Sequence, residues 1–352
     1  MNSLINKVSG LNKLLFSILT LLILLLIGFL DLITGVEASV SILYLIPVAL
    51  GSWFINKWMG LLLSILSSVV FFLADLLGSS SYHHPLTPYW NALVMLGTFI
   101  LFSILLSELR KAVERENILA LQTQQSLLPQ EDPEIYGYGI SSIWQPTKVV
   151  SGDSYDFVHI SENMLGISLA DVCGHGYPAA LLMSNFQASF RIIAENQPSP
   201  EKVCRHLNRI ISNYEIDNKY ISFFYGILDT EDNTFVYSNA GHPPPIVLHS
   251  SGDIMHLSRG GLLIGVDPEA SYEPDKVHLE KGDKVFLFTD GIIEARNFAE
   301  KEFGEERLIE LFKKHSNKPE NDFRKIVLET INRFGNGNIE DDITLLVVSV
   351  NN

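Results

Sequence analysis

Four short stretches of this 352-residue chain place an aspartate at the edge of an apolar, strand-like run, where a carboxylate escapes the core but stays rigidly placed. Carboxylates beside exposed carbonyls are the ligands that hard divalent cations prefer. The acidic turns therefore indicate a magnesium or manganese site, although their spacing alone does not show that they meet. The stretches are SGDSYDF (151–157), DVCGHG (171–176), FTDG (288–291) and EDDITLL (340–346).

The stretch around Asp171 has the clearest local pattern. An apolar run that predicts a buried strand ends at this carboxylate, passes a turn with two glycines, and enters a helix in which Pro178 suits the first position. Glycines let the backbone approach whatever Asp171 holds. The alternative is that Asp171 only caps the following helix, as Asp before a glycine turn often does.

Five motifs, taken in order, resemble the SpoIIE/RsbU-type branch of the metal-dependent (type 2C-like) serine/threonine protein phosphatases. They are SGDSYDF, DVCGHG, SNAGHPPP, FTDGIIEA and DDITLLV, and the resemblance runs from about residue 120 to 350. Periodicity alone predicts an α+β fold, with short strands after Pro129 and helical apolar stripes between them. The resemblance further implies two stacked antiparallel β-sheets flanked by α-helices.

The resemblance also implies a centre of two divalent ions, Mn²⁺ or Mg²⁺, which activate a water molecule to hydrolyse a phosphate monoester. Asp171 would bridge the ions and the carbonyl of Val172 would bind one of them. Asp290 and Asp341 would hold the other, and Asp153 would complete the cluster directly or through water. These four aspartates are the predicted catalytic residues.

Several neighbours of these residues leave the assignment of roles open. Asp342 follows Asp341, and alternation along a strand would point the two side chains to opposite faces, so the family pattern decides for Asp341. His175 and His242 could serve as general acids, but we expect them to orient turns. No arginine precedes Asp153 to bind phosphate, and only Lys148 stands there.

Residues 1–110 predict a membrane domain of about four transmembrane helices. Its apolar segments run over residues 14–30, 40–54, 58–77 and 90–106, the second being short for a span. Lys and Arg lie before the first segment, between the second and third, and after the fourth. The positive-inside rule therefore predicts a multi-pass protein of the bacterial cytoplasmic membrane with both termini and the phosphatase-like part in the cytoplasm.

A charged, helix-favouring stretch without glycine or proline follows at residues 107–126. Its imperfect heptad pattern predicts that the last span continues into a signalling helix, through which the chain forms a homodimer. We therefore expect three parts: a sensor or anchor (1–110), a linker helix (111–130) and a phosphatase domain (131–352).

The charge of the chain limits its partners. Residues 1–110 carry four basic and four acidic side chains, so the net charge of −15 belongs entirely to the remainder. Such an acidic surface argues against nucleic-acid binding. The resemblance implies a phosphorylated protein substrate, an anti-sigma-factor antagonist in bacterial signal transduction. The alternative is an inactive membrane-anchored binding protein that keeps the phosphatase fold.

Overall fold

The computed structural model separates the chain into two units, Met1–Glu116 and Asn117–Asn352. The residues that it describes are 13–34, 40–77, 84–214, 220–337 and 339–351.

The first unit is helical. Its helices are α1 (Lys13–Thr34), α2 (Leu45–Leu50), which lies between a 3₁₀ turn (Ser41–Tyr44) and a π-helical turn (Gly51–Ile55), and α3 (Lys57–Leu77). The last helix, α4 (Thr87–Leu127), is continuous for 41 residues and so joins the final apolar segment to the charged stretch after it. Its residues 117–127 belong to the second unit.

Three helices of the described residues, α1, α3 and α4, are long and apolar enough to cross a membrane. The remaining expected span, the second in chain order, is a shorter apolar helix over Ser41–Ile55. At 1.5 Å per residue, such a segment is about 22 Å long, less than the roughly 30 Å of a bilayer core. The expected count of four full-length spans is therefore not confirmed.

The second unit contains two β-sheets. The first sheet has the strand order β1-β11-β10-β6-β7, and the second has the order β2-β3-β4-β5-β8, with β9 paired to β5. In chain order the strands are β1 (Tyr138–Gln145), β2 (Asp153–Ser161), β3 (Met164–Val172), β4 (Ile221–Asp229), β5 (Thr234–Ala240), β6 (Ile246–Leu248), β7 (Ile254–His256), β8 (Gly260–Gly261), β9 (Asp275–His278), β10 (Lys284–Phe288) and β11 (Ile343–Val350).

Helices cover the outer faces of both sheets. Val158, Phe223 and Tyr225 of the second sheet pack with apolar side chains of α5 (Tyr177–Asn196) and α6 (Pro200–Ile211). The first sheet packs its outer face against α8 (Glu305–His315) and α9 (Glu320–Phe334), and the short α7 (Asp290–Ile293) follows β10. The predicted sandwich of two antiparallel sheets flanked by helices is confirmed.

The local patterns of the sequence agree with most of these elements. Alternating apolar residues at 221–227, a turn at 230–233 and a returning run at 234–240 predict a hairpin, which is β4–β5 and pairs antiparallel from Phe224 to Asp229. The sequence also predicts a last strand over 343–350, and β11 confirms it.

Four apolar residues recur at helical spacing after Ser199-Pro200 and predict a buried helix face: Val203, Leu207, Ile210 and Tyr214. The prediction is wrong at its end, because α6 stops at Ile211 and Tyr214 is 39% exposed. Tyr214 instead donates a hydrogen bond to Asn185 on α5.

The space between the sheets is apolar along most of its length and becomes polar at one end. Inward positions of β3 and β10, such as Leu169 and Leu287, belong to the core between the sheets. Because side chains alternate along a strand, the next inward positions are Asp171 and Thr289. The same alternation brings Asp153 and Thr344 to this end of the sandwich.

Candidate functional site

Asp153 is the first residue of β2 and its side chain is buried. Its Oδ2 accepts hydrogen bonds from the hydroxyls of Thr289, at 2.9 Å, and Thr344, at 2.6 Å. Thr344 lies on β11 of the opposite sheet and Thr289 directly follows β10 of that sheet, so the carboxylate connects the two sheets. Burial, followed by the charge of Asp171, raises the pKa of Asp153 well above its usual value.

Asp171 lies directly opposite Asp153 in the register of β2 and β3. The next residue, Val172, donates its N–H to the carbonyl of Gly152 at 3.3 Å. A Cβ on Gly152 would lie 2.9 Å from the carbonyl oxygen of Val172 and 3.4 Å from a carboxylate oxygen of Asp171. Position 152 therefore requires glycine, because any side chain would crowd both oxygen groups.

The turn after Asp171 leads into α5 through two glycines with positive φ. Gly174 has φ 90° and Gly176 has φ 78°, conformations that side-chain-bearing residues rarely adopt. Gly176 is the N-cap residue of α5, and Pro178 lies in its first turn. Among the described residues no side-chain cap bond is found at this helix, so the simple capping role does not describe Asp171.

Asp290 comes from the side of the other sheet, as the first residue of α7 and two residues after the end of β10. The neighbouring Gly291 passes the β11 entry so closely that a Cβ there would lie 2.0 Å from the carbonyl oxygen of Asp342. The glycine therefore allows the Asp290 turn to approach the Asp341–Asp342 segment.

Asp341 and Asp342 have different surroundings. Asp342 is buried and accepts four hydrogen bonds: at Oδ1 from the N–H and hydroxyl of Thr147, and at Oδ2 from the Ser151 hydroxyl, at 2.6 Å, and the Gly152 N–H. Asp341 is exposed and accepts one, from the N–H of Asp342 at 2.9 Å. Asp341 therefore keeps its carboxylate available, whereas Asp342 anchors the 147–152 loop.

These carboxyl groups repel one another. Burial, then the charges of Asp290 and Asp341, raise the pKa of Asp171 to about 7. Burial and the charge of Asp341 likewise raise the pKa of Asp290 to about 6. Among the described residues, the leading contributions to both shifts are burial and neighbouring carboxylates, and none of these contributions comes from a lysine or arginine.

A divalent cation would remove that repulsion. Four carboxylates and one backbone carbonyl are a hard oxygen donor set of the kind that magnesium and manganese prefer. As placed, no three His, Cys, Asp or Glu side chains of the described residues form a finished metal-binding group. The donor chemistry, the crowding at Gly152 and the uncompensated charge nevertheless fit a cation at this end of the sandwich.

A cleft of about 510 Å³ opens beside Asp171 and Asp290. Its lining combines apolar and acidic side chains with one histidine: Leu263, Phe288, Ile293, Glu294, Glu305 and His242. The volume is in the range of small-ligand pockets.

Two histidines that could act as general acids differ in environment. His242 is buried and its Nδ1 shares a 2.8 Å hydrogen bond with Ser222, which lies opposite Asp171 in the β3–β4 register. Burial lowers the pKa of His242 to about 3, partly offset by the carbonyl of Phe288. The ring is therefore neutral near pH 7. The second histidine, His175, is exposed. Lys148, the one cationic residue that the sequence offers shortly before Asp153, is also exposed.

Three hydroxyl-bearing residues of this site were not predicted from the sequence. Thr289 and Thr344 hold Asp153, and Ser222 holds His242. Thr289 and Thr344 do stand inside the acidic motifs, directly before Asp290 and two residues after Asp342. Their position in FTDG and DDIT was the available signal.

Comparison with known proteins agrees with this architecture. The family described as Stage II sporulation protein E (SpoIIE) matches residues 161–351. The chain belongs to the SpoIIE family. Phosphoserine phosphatase RsbU of Bacillus subtilis (strain 168) is 31% identical to this SpoIIE-family chain over 242 residues, which cover 68% of the chain and 71% of RsbU.

Solved structures of this fold include the SiaA-PP2C domain of Pseudomonas aeruginosa, with a TM-score of 0.60, 20% identity and coverage of 68% of this chain and 97% of that one. The PP2C phosphatase domain of SpoIIE from Bacillus subtilis, solved with a fragment of its regulatory domain, has a TM-score of 0.55 and is 22% identical. That match covers 61% of this chain and 62% of the other. The predicted SpoIIE/RsbU-type family is confirmed, and this SpoIIE-family chain is a protein serine/threonine phosphatase.

Proposed function

We propose that this chain is a membrane-anchored phosphatase that uses two divalent ions, Mn²⁺ or Mg²⁺, to hydrolyse phosphoserine or phosphothreonine on a regulatory protein. The observation that carries the proposal is the convergence of uncompensated carboxylates from both sheets beside an open cleft. A phosphatase of this kind needs a concentrated set of oxygen ligands next to a space for the phosphorylated side chain.

In this proposal Asp171 would hold both ions and the Val172 carbonyl would hold one of them. Asp290 and Asp341 would hold the other, and Asp153 would complete the set directly or through water. When bound, such ions lower the pKa of a water molecule and offset the charge of the phosphoryl oxygens. The exposed carboxylate of Asp341, beside the fully hydrogen-bonded Asp342, supports this choice between the two neighbours.

The chain's own residues keep these ligands in place. Thr289 and Thr344 orient Asp153 from the opposite sheet. Asp342 ties the 147–152 loop to the start of β11. His242 is held by Ser222 and neutral at pH 7, so it has no proton to donate as a charged acid, which supports an orienting role.

The similarity to RsbU supports a phosphoserine protein as substrate, since that relative is described as a phosphoserine phosphatase. We propose a phosphorylated anti-sigma-factor antagonist as the partner. The apolar helices α1, α3 and α4 would anchor the enzyme in the bacterial cytoplasmic membrane, with the phosphatase unit in the cytoplasm. The charged end of α4 would bring two copies together as a homodimer.

The test is Mn²⁺-dependent phosphate release by the full chain in detergent from a phosphoserine-bearing antagonist protein. We expect turnover that EDTA abolishes, and a loss of at least about 100-fold in Asp171→Asn, because the bridging position cannot be replaced by an amide. Asp232→Asn changes an exposed carboxylate far along the chain and serves as the matched control. If the parent binds the phosphoprotein but never releases phosphate, the chain is the inactive binding protein instead.

A further inference from the structure

A second pocket, of about 680 Å³, lies at the far end of the first sheet from the acidic cluster. It is bordered by the β6–β7 turn, the starts of β10 and α9, the connection 316–319 and the end of β11. Because β10 begins at Lys284 and Asp290 follows its last residue, the pocket and the acidic cluster lie beyond opposite ends of this strand. The proposed metal chemistry uses none of the residues that line this pocket.

Two buried polar side chains belong to the sheet surface under the pocket. Lys284 and Ser349 lie directly opposite each other in the register of β10 and β11. Both are on the outer face of the sheet, since the alternate residues Phe286 and Val347 pack in the core beneath α8 and α9. Lys284 is 8% exposed and Ser349 is 2% exposed. Polar groups in such a place normally have a full set of hydrogen-bond partners.

The hydrogen bonding of these two side chains is incomplete. Lys284 Nζ, which carries three N–H groups, donates to the carbonyl of Lys318 at 2.8 Å and forms a long ion pair with Glu320 at 3.9 Å. The hydroxyl of Ser349 has no hydrogen-bond partner among the described residues. Burial lowers the pKa of Lys284, and the charge of Glu320 only partly opposes this effect. A closer anion would stabilise the buried ammonium.

The lining of the pocket is basic, although the chain as a whole carries a net charge of −15. Lys313 and Lys318 are exposed and line it together with Lys284, and Glu320 is the one acidic residue of the described lining. Three lysines against one glutamate give a net charge of +2, which matches the charge of a phosphate monoester dianion. The volume exceeds that of a phosphate group and is in the range of small-molecule pockets.

His249 adds a polar group at the edge of the pocket. Its Nδ1 shares a 2.9 Å hydrogen bond with Asp283, a buried carboxylate that does not line the pocket. Asp283 also accepts the backbone N–H groups of Ser250, at 2.8 Å, and Glu280, at 3.0 Å. An ionised carboxylate only accepts, so Nδ1 is the donor and Nε2 is the ring atom open to other partners.

We propose that this pocket binds a small organic phosphate monoester, whose phosphoryl oxygens contact the ammonium of Lys284 and the hydroxyl of Ser349. Lys313 and Lys318 offset its remaining charge, and the organic part occupies the rest of the volume. The carboxylate of Glu320 opposes binding because it carries the same sign of charge as the ligand. The inference does not depend on the proposed metal chemistry, since the two sites share no residue.

The experiment is calorimetry on the full chain in detergent and EDTA, so that no metal ion draws phosphate to the acidic cluster. The probes are inorganic phosphate and adenosine monophosphate, with adenosine as the uncharged control. We expect both phosphates to bind, and adenosine to bind at least about tenfold more weakly than its monophosphate because it lacks the charged group.

Four variants test where the phosphates bind. Lys284→Gln should weaken binding at least about tenfold, because it removes the buried charge. Ser349→Ala should weaken it about threefold or more, yet its unfolding midpoint without ligand should not fall, because it removes an unpaired buried hydroxyl. Lys313→Gln should weaken binding about two- to fivefold, as expected for an exposed charge. Glu320→Gln should strengthen it severalfold, because the like charge is gone.

Lys314→Gln is the matched control for Lys313→Gln. Both lysines are exposed in the last turn of α8, and only Lys313 lines the pocket. The affinity of Lys314→Gln for both probes should equal that of the parent.

Three results would overturn the inference. They are no binding of either probe by the parent at millimolar concentration, parental affinity in both Lys284→Gln and Ser349→Ala, and equal weakening by Lys313→Gln and Lys314→Gln, which would indicate unspecific attraction to surface charge. Weaker binding in Glu320→Gln would also contradict it, because Lys284 and Glu320 would then be only a structural pair. If Lys284→Gln does not fold, Ser349→Ala and the matched pair on α8 decide the question.

Discussion

At the scale of single residues, the adjacent aspartates Asp341 and Asp342 have different surroundings and therefore different roles. The four hydrogen bonds of Asp342 make it part of the scaffold, whereas the single backbone bond of Asp341 leaves it free for a ligand. A carboxylate that accepts four protein donors has little capacity left for a cation. The local chain direction at the start of β11 produces this division, because neighbouring side chains point to opposite sides.

The first prediction contrasts these neighbours in a fragment of residues 117–352. Asp342→Ala should lower the free energy of unfolding by about 1–3 kcal/mol, because buried donors of the 147–152 loop lose their acceptor. Asp341→Ala should leave stability in EDTA nearly unchanged while abolishing phosphate release. Thermal unfolding and a phosphatase assay on both variants check this. Equal destabilisation by the two substitutions would contradict the assignment.

The second prediction concerns pH in the absence of metal. The pKa of Asp171 is raised to about 7 from 3.8, so the carboxyl favours folding while protonated, and this contribution is lost as pH rises from about 4 through 7. Asp171→Asn removes the titration. In EDTA the free energy of unfolding of the variant should match that of the parent near pH 4 and exceed it by about 1–3 kcal/mol at pH 7.5. One pKa unit corresponds to about 1.4 kcal/mol, and water screens part of the repulsion between the carboxylates.

Denaturant unfolding of the parent and Asp171→Asn across this pH range measures the difference. Saturating Mn²⁺ should reverse the order at pH 7.5, because only the parent keeps the full ligand set. A pH-independent difference between the two proteins would show that the repulsion among the carboxylates is not responsible.

At the scale of elements, the site belongs to the junction of two sheets and the end of one helix. β2 and β3 supply Asp153 and Asp171, and the opposing residues come from β10, β11 and the turns next to them. The end of α4 is hydrogen-bonded to Ser151, in the loop directly before β2. Each strand alone would leave one carboxylate without its neighbours. The end of α4 is therefore structural for the phosphatase unit, since Leu128, directly after it, is also buried in the core between the sheets.

The third prediction compares two fragments, residues 117–352 and residues 131–352. The shorter one lacks the two hydrogen bonds from Gln124 to the backbone of Ser151, the Leu127 carbonyl acceptor and the buried Leu128. It should unfold at a temperature several degrees lower, because a buried Leu side chain alone contributes about 2 kcal/mol. Differential scanning fluorimetry of both fragments in EDTA is the measurement. Identical midpoints would mean that α4 contributes nothing to the stability of this unit.

At the scale of the whole molecule, charge and hydropathy are segregated along the chain. The three long apolar helices lie in the first 127 residues, and all of the negative charge excess follows residue 110. The basic residues flanking the apolar segments predict that both ends of the chain are cytoplasmic, and this requires an even number of crossings. The short Ser41–Ile55 segment would then also cross, with the bilayer thinned around it. Its Ser52 hydroxyl bonds Ser103 on α4 at 2.9 Å, so the polar side chain is satisfied within the unit.

The fourth prediction is a test of that topology. A reporter that is active only in the cytoplasm should be active at either terminus of the full chain, and a periplasmic reporter should be active only after α1 or between α3 and α4. Replacing Lys7 and Lys13 with alanine should weaken the preference of the amino terminus for the cytoplasm, because positive charges beside a span favour the cytoplasmic side. An amino terminus outside the cell would instead mean three spans, with Ser41–Ile55 not crossing.

The sequence by itself determined the identity of the acidic residues, the phosphatase class, and most elements, including the hairpin β4–β5, the strand β11 and the long apolar helices. These follow from local causes: alternation, helical periodicity, and glycine or proline at turns. Five motifs in order were sufficient to indicate the family, although the roles of the individual aspartates stay predictions.

Only the tertiary structure decided which polar groups meet. Thr344 and Asp153 are 191 residues apart in the chain, and Gln124 and Ser151 are 27 apart. Neither pair produces a periodic pattern in the sequence, because a hydrogen bond between two sheets, or from a helix to a loop, depends on how whole elements pack. Asp342 was likewise distinguished from Asp341 only by its partners. Local sequence sets which side chains lie at the strand ends, and the packing of the two sheets sets which of them are neighbours.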